Sequence, residues 1–404
     1  MPRIGVGVVG FGWMGRAHAR SCARIPSLFP DRTFEPELVG VSDTLAERAA
    51  EGVRSFGFRS AADRWQDVVE DPDVDVVFVC APNRMHVEIC EAAAAAGKHV
   101  FCEKPVGGTP EQTARIEAAA RGADVVTGVG FNYRWAPLVC YTKELVDAGR
   151  LGTIMNYRGR FFSMYGNDPL GLLSWRYRKE EAGYGTSTDL LSHALDLSLM
   201  FLGPITSVVG TAETFIRERP LPGRGRDTHY GRGAVSDPTG EVTNEDYCAA
   251  LAVFAGGARG TFEASRALVG PQSQMAFDLY GTRGAVSWNF ETMNELRIFL
   301  RDSSPRHEGY TTVHSGDRFP YHGRFVPGDA NAIGFEDLKV IEDYEFLSSV
   351  AAERPHHPGF ADALEVVRVQ AALVRSWESG RWEDVGAVEP EPAEPEELTR
   401  EVQS

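Results

Sequence analysis

Apolar and polar positions fall into two textures along this chain, and the change comes near residue 131. Before it, short continuous apolar runs rich in β-branched residues occupy 4–9, 38–41, 74–80, 99–102 and 125–129. Runs of this kind, bounded by glycine or proline, are what strands covered on both faces look like. Between them, segments 14–25, 45–56, 86–96 and 110–121 read as helices. The last has a clear start: Thr109 can cap, Pro110 suits the first helical position and Gln112 completes a capping box. Strand and helix in alternation predict a parallel α/β sheet with right-handed crossovers.

After Phe131 a helix is expected over 189–202, stopped by Gly203-Pro204. Strand-like runs follow at 207–216, 247–254, 259–264, 275–280 and 285–289, with 281–284 reading as a hairpin connection. That pattern predicts an antiparallel sheet domain. Segment 221–240, rich in Gly, Pro, Arg and Asp, reads as a long surface loop. Two more helices are expected at 335–352 and 360–379, and the Pro/Glu-rich end from 387 is expected to be disordered. The expected organisation is therefore a nucleotide-binding domain over 1–131, a substrate-binding and oligomerisation α+β domain over 132–386, and an acidic tail over 387–404. No internal repeat is visible.

Composition narrows the function classes. Of 404 residues, 43% are hydrophobic and 24% charged, as in an ordinary globular protein. The net charge of −16 opposes a general role on nucleic acid or anionic membranes. No apolar run approaches a membrane span. The first residues lead straight into a strand and a glycine turn rather than a cleavage site, so a cytoplasmic protein is expected. The six cysteines include no Cys-x-x-Cys pair, which argues against a zinc site or a disulfide framework.

Five short motifs could carry chemistry. Gly10-Phe11-Gly12-Trp13-Met14-Gly15 follows a predicted strand and opens a predicted helix, the context of a dinucleotide-binding turn. Its glycines would permit the tight turn, the approach of a pyrophosphate and close helix–strand packing, with the phosphates at the helix N-terminus. Asp43 ends the second strand, where a carboxylate would accept from the adenosine ribose and repel a 2′-phosphate; NAD is thereby favoured over NADP. It could equally cap the next helix. Ala81-Pro82-Asn83, with His86 after it, sits at a strand's C-terminal end, either as ligand-binding edge or as turn and cap. Glu103-Lys104-Pro105 ends the next strand: the lysine could grip a substrate hydroxyl, or pair with a glutamate at the surface. Pro105 could fix that turn through a cis bond. Asp189 and His193 stand four residues apart on an expected helix and so would share a face, as base and partner or as helix cap and core histidine.

Together these motifs, with Phe131-Asn132-Tyr133-Arg134, Trp175-Arg176 and Gly183-Tyr184-Gly185 in order along the chain, resemble the Gfo/Idh/MocA oxidoreductases, the glucose-fructose oxidoreductase and inositol dehydrogenase family. The resemblance runs to the acidic tail and is nearest to a subgroup that includes levoglucosan (1,6-anhydroglucose) dehydrogenase, with departures at Ser163-Met164-Tyr165-Gly166 and at Tyr184. It implies an α/β fold, an N-terminal Rossmann domain followed by an α+β domain with a large open, mostly antiparallel sheet. It implies oxidation of a secondary ring hydroxyl of a sugar, anhydrosugar or cyclitol by NAD(P), without a metal. Lys104 would hold the reacting hydroxyl and touch the nicotinamide ribose, and His193 would act as base, oriented by Asp189 or sharing its work. Asn83, His86, Glu103, Asn132, Trp175 and Arg176 would line the cofactor or the mouth of the pocket, and the glycine loop, Asp43, Ala81 and Pro82 would bind the cofactor. Tyr133, Arg134 and Tyr165 would meet the substrate. The C-terminal sheet would join subunits into a homodimer or homotetramer. Two other functions compete: hydrolysis or elimination by transient oxidation on tightly held NAD(P), and a non-catalytic nucleotide or sugar sensor.

Overall fold

A computed structural model describes residues 1–223, 231–301, 308–388 and 390. Residues 224–230 of the loop expected at 221–240 and nearly all of the acidic tail lie outside these described residues. The first domain is built on six parallel strands: β1 (Arg3–Val9), β2 (Glu35–Ser42), β3 (Ser60–Ala62), β4 (Val76–Val79), β5 (His99–Cys102) and β6 (Thr127–Val129). Their order in the sheet is β3-β2-β1-β4-β5-β6. The switch lies between β1 and β4, and at such a point the crevice beyond the strand ends takes ligands. The buried runs Val6–Val9 and Val76–Val79 make β1 and β4 the centre of the core.

Helices α1 (Trp13–Leu28), α2 (Ala46–Glu51), α3 (Trp65–Val69), α4 (His86–Ala95) and α5 (Pro110–Gly122) cross between these strands. Thr109 accepts from the Gln112 amide at the start of α5, as the cap signal foretold. The helix expected over 45–56 is shorter: α2 ends at Glu51 and a π-helical turn, Gly52–Phe56, carries the chain on to Gly57 in a left-handed conformation. Strand β3 and helix α3 were not foreseen, since Ser60-Ala61-Ala62 has no apolar alternation.

Helix α6 (Pro137–Asp147) leads into the second domain, whose sheet has nine strands. Chain order gives β7 (Ile154–Ser163), three short helices and turns including α7 (Lys179–Ala182) and α8 (Thr186–Asp189), then α9 (Leu191–Leu202) and β8 (Ile205–Glu213). A small ladder of β9 (Glu218–Pro220) and β10 (Thr239–Glu241) stands apart. Next come β11 (Tyr247–Phe254), β12 (Arg259–Ser265), β13 (Ser273–Gly281), β14 (Gly284–Asn289), β15 (Glu295–Leu300) and β16 (Thr311–His314), then α10 (Phe335–Ala351), α11 (Phe360–Ser379) and β17 (Glu383–Asp384). The large sheet runs β16-β15-β14-β13-β7-β12-β11-β8-β17, and only the β7–β12 pair is parallel. The sheet is thus mostly antiparallel, as expected. Its central strand β7 escaped sequence reading because arginines at 158 and 160 alternate with a glycine.

The helix expected over 189–202 is broken at Leu190, between α8 and α9. Helix α10 comes late in the chain yet packs along α1: Arg20 and Arg24 of α1 pair with Glu336 and Asp337 of α10. The first domain is therefore completed by a C-terminal segment. One hydrophobic core, from Val6 and Phe78 through Phe346 to Phe277 and Trp288, joins both sheets.

Candidate active site

A cleft of about 1100 Å³ opens where the strand ends of the first sheet face β7, α8 and α10. At its floor lies the glycine loop. Gly10 holds φ +91°, a left-handed conformation, and a Cβ there would press on Cys80 and Ala81. A side chain at Gly15 would collide with the carbonyl of Gly10, so Gly15 sets helix–strand packing and lies off the cleft. Gly12 has nothing within 4 Å of its Cβ position, so its backbone is bare to the cleft. No side chain caps the first turn of α1 behind it. Bare backbone at an uncapped helix N-terminus fits a pyrophosphate. Trp13 and Met14 line the same wall, and Trp13 stacks on Phe335 of α10 at 5.5 Å. Phe11 is a correction: its ring is fully buried against Phe56 and Phe58, and only its amide reaches out, to Asp43.

Asp43 lines the cleft beside Arg48. One carboxylate oxygen accepts from the Phe11 amide and the other from the Leu45 amide, each at 2.8 Å. It ties the glycine loop to the turn before α2 rather than capping that helix, whose N-cap is Leu45. Ala81, Pro82 and Asn83 form the next edge, and the Asn83 amide donates to the carbonyl of Ala182. His86 also borders the cleft, but its two ring nitrogens contact the carbonyls of Ala81 (2.8 Å) and Pro105 (2.9 Å). The ring staples one cleft loop to the other, and burial pushes its pKa down.

The Lys104-Pro105 bond is cis. Neither side chain of Glu103-Lys104 is a surface partner of the other. The Glu103 carboxylate turns inward to His18 (3.0 Å) and Lys339 (2.6 Å). Lys104 turns to the cleft and donates to the Asp189 carbonyl and carboxylate, both at 2.8 Å. The second Asp189 oxygen accepts from the Tyr165 hydroxyl at 2.8 Å. Although burial opposes ionisation, Lys104, Arg176 and Tyr165 hold the Asp189 carboxyl far below the usual range.

His193 shares the cleft with Asp189, but not through the expected helical face. Among the described contacts the Asp189 oxygens go to Lys104 and Tyr165, and the imidazole packs instead against the rings of Tyr133 (4.8 Å), Phe131 (5.8 Å) and Phe161 (5.9 Å). Its Nδ1 is buried without a partner among the described residues. Burial, then the Lys104 ammonium, push its pKa well below 6.5, so the ring is neutral at pH 7.

Trp175 and Arg176 form a short 3-10 turn on the opposite wall, the guanidinium 4.3 Å above the indole. Asn132 and Tyr133 also reach the cleft, and the Asn132 amide nitrogen is buried with no partner among the described residues. Arg134 does not reach it. Its guanidinium turns away to Asp196, with contacts of 2.6–3.0 Å, and lies 3.6 Å from Asp362. The expected substrate contact is thus an internal guanidinium that joins the 132–135 turn to Asp196 of α9 and lies near Asp362 at the start of α11. Sequence reading also missed Arg266, Gln272, Ser273, Phe290, Phe335 and Lys339, all on the cleft wall. Most stand on elements whose faces no local motif marks.

The fold and this cleft define a two-domain, dinucleotide-binding oxidoreductase. Residues 4–131 match the oxidoreductase family with an NAD-binding Rossmann fold, and residues 139–287 match the GFO/IDH/MocA C-terminal domain. The chain is 34% identical over 385 residues to a levoglucosan dehydrogenase of Pseudarthrobacter phenanthrenivorans, covering 95% of this chain and 99% of that one. A solved levoglucosan dehydrogenase in complex with NADH and L-sorbose superposes with a TM-score of 0.90 at 33% identity, over 96% of this chain and all of that one. A D-xylose dehydrogenase of Paenarthrobacter nicotinovorans is 26% identical over 362 residues, 87% of each chain. The chain belongs to the Gfo/Idh/MocA oxidoreductase family.

Proposed function

We propose that the protein is an NAD-dependent dehydrogenase that oxidises a secondary ring hydroxyl of a sugar, anhydrosugar or cyclitol to a ketone. The observation that carries this reading is the meeting of Lys104, Asp189, Tyr165 and His193 in one cleft that the bare Gly12 backbone also lines. When bound, the nicotinamide supplies the hydride acceptor. Lys104, with two N–H groups on Asp189, offers its remaining donor to the reacting oxygen and stabilises the charge that grows there. His193 Nδ1 is sealed, so Nε2 is the nitrogen available to take the hydroxyl proton. Asp189 positions Lys104 and Tyr165 and does not orient the imidazole. Tyr133, Tyr165 and Arg176 line the sugar side. Asp43, its carboxylate at the ribose end, excludes a 2′-phosphate and selects NAD over NADP.

The levoglucosan dehydrogenase likeness makes a rigid, hydroxyl-rich pyranose the first substrate class to try. The experiment is NADH formation at 340 nm with NAD or NADP across anhydrosugars, monosaccharides, glycosides and inositols. A strong NAD-dependent signal with one ring polyol is expected; silence with every polyol and both cofactors would overturn the reading. The open face of the nine-stranded sheet, where Leu251, Arg158 and Arg259 stand exposed, serves as the face for a homodimer or homotetramer. No described helix is long and apolar enough to cross a membrane. A cytoplasmic location suits an NAD-linked reaction and six free thiols.

A further inference from the structure

Five ionisable side chains from three distant parts of the chain meet in a buried cluster that reaches the cleft wall at Glu103 and Lys339. His18 comes from α1, Glu103 from the end of β5, and Lys339, Glu342 and Asp343 from α10. His18 lies between Asp343 (2.8 Å) and Glu103 (3.0 Å). The Lys339 ammonium lies between Glu103 (2.6 Å) and Glu342 (2.8 Å). The side chains of His18, Lys339, Glu342 and Asp343 are at most 1% exposed. Burying so many ions is costly, and apolar residues of similar volume often serve stability as well. The arrangement therefore calls for a use that needs a fixed charge.

His18, Glu103 and Glu342 are close enough together to hold a metal ion. The cation among them is already present, because both glutamates are bound to Lys339. An ammonium has three donors. Two are spent on these carboxylates, and tetrahedral geometry turns the third away from both. Lys339 is part of the cleft wall together with Glu103, Gly130 and Cys80. It lies at the catalytic end, since it is bound to Glu103, the chain neighbour of Lys104. A desolvated donor there needs a carbonyl or an anion to accept from it.

We propose that Lys339 is a cofactor-positioning residue, whose third N–H is the donor for the carboxamide oxygen of a nicotinamide dinucleotide. The proposal rests on the reading that the cleft takes such a cofactor. The buried network holds the ammonium still, with His18 and Asp343 fixing Glu103 from behind. Glu103 thereby acts through Lys339, while its neighbour Lys104 acts on the substrate.

The test is equilibrium binding of NADH and of ADP-ribose, which lacks the nicotinamide, to the full chain. Wild-type protein binds both; if it binds neither, the cofactor reading itself fails. In Lys339→Met, NADH is expected to bind roughly ten- to a hundredfold more weakly, the loss of one hydrogen bond to a charged donor, with ADP-ribose unchanged. Equal losses for the two ligands, or no loss for NADH, would overturn the proposal. Where Lys339→Met does not fold, the wild-type protein still decides. The reduced thionicotinamide analogue, whose sulfur is the poorer acceptor, should bind several-fold more weakly than NADH. Equal affinity would refute the role.

Discussion

Replacing Lys104 by methionine keeps most of the side chain's length and removes its charge. In the folded chain this breaks two hydrogen bonds of 2.8 Å to Asp189. The pair is partly solvated, at 18% and 29% exposure, and the Tyr165 hydroxyl and the Arg176 charge still support the carboxylate. The stability cost should therefore stay near 1–2 kcal/mol. The catalytic cost is larger, because in the proposed function the ammonium is the donor to the oxygen on which charge grows. Removing such a group costs about a hundred- to ten-thousandfold, or roughly 3–5 kcal/mol of barrier. The assay is kcat from NADH absorbance, with NADH affinity by fluorescence titration and unfolding by denaturant on the same preparation. We expect kcat to fall at least a hundredfold while NADH affinity moves less than threefold. His193 gives a second signature. Lys104 is one cause of its low pKa, so in the variant the acid limb of any residual activity should move to higher pH. Turnover within tenfold of wild type, or a loss of NADH affinity as large as the loss of rate, would refute the reasoning.

Three further perturbations probe other parts of the account. Arg134→Met leaves Asp196, already pushed up to about 6 by burial, without its cation, and should cost roughly 3–5 kcal/mol in denaturant unfolding. Substrate KM should not change; a raised KM with stability intact would restore Arg134 to the pocket. Burial opposes the charge on His18, but Asp343 and Glu103 prevail and raise its pKa to about 9. Its stabilisation, on the order of 2–4 kcal/mol, is full below pH 6.5 and is lost as pH rises through 9. The denaturant midpoint should fall across that window and fall less in His18→Gln, and equal slopes in the two proteins would count against the ion cluster. Asp43→Ala should raise NADP use relative to NAD in the 340 nm assay, and a wild-type preference for NADP would remove the ribose role of Asp43.

Where a feature depends on local chain chemistry, the sequence shows it well. The glycine loop, the capped α5 and the buried runs of β1 and β4 need only neighbouring residues to be recognised, and all stand where the pattern put them. Lys104, Asp189 and His193 also meet in one cleft. Their mutual contacts could not be read from spacing. The break at Leu190 takes Asp189 and His193 off one continuous helical face, and Tyr165, from the turn after β7, takes the carboxylate oxygen that the imidazole was expected to use. Arg134 was misplaced for a similar reason: its partners, Asp196 and Asp362, are 62 and 228 positions away. Lys339, Glu342 and Asp343 share a helix face that reads as solvated, and only the tertiary approach of His18 and Glu103 buries them.

The central claim is net oxidation of one ring hydroxyl with transfer of the hydride to NAD. It is tested most directly by following a reacting pyranose and the cofactor together, the sugar by NMR and mass spectrometry and NADH by absorbance. The account predicts one NADH formed per sugar consumed and a product two hydrogens lighter, with its ring intact and a ketone at a single carbon. A cleaved or dehydrated sugar with no net NADH would contradict it, and would mean that the oxidation at this site is only transient.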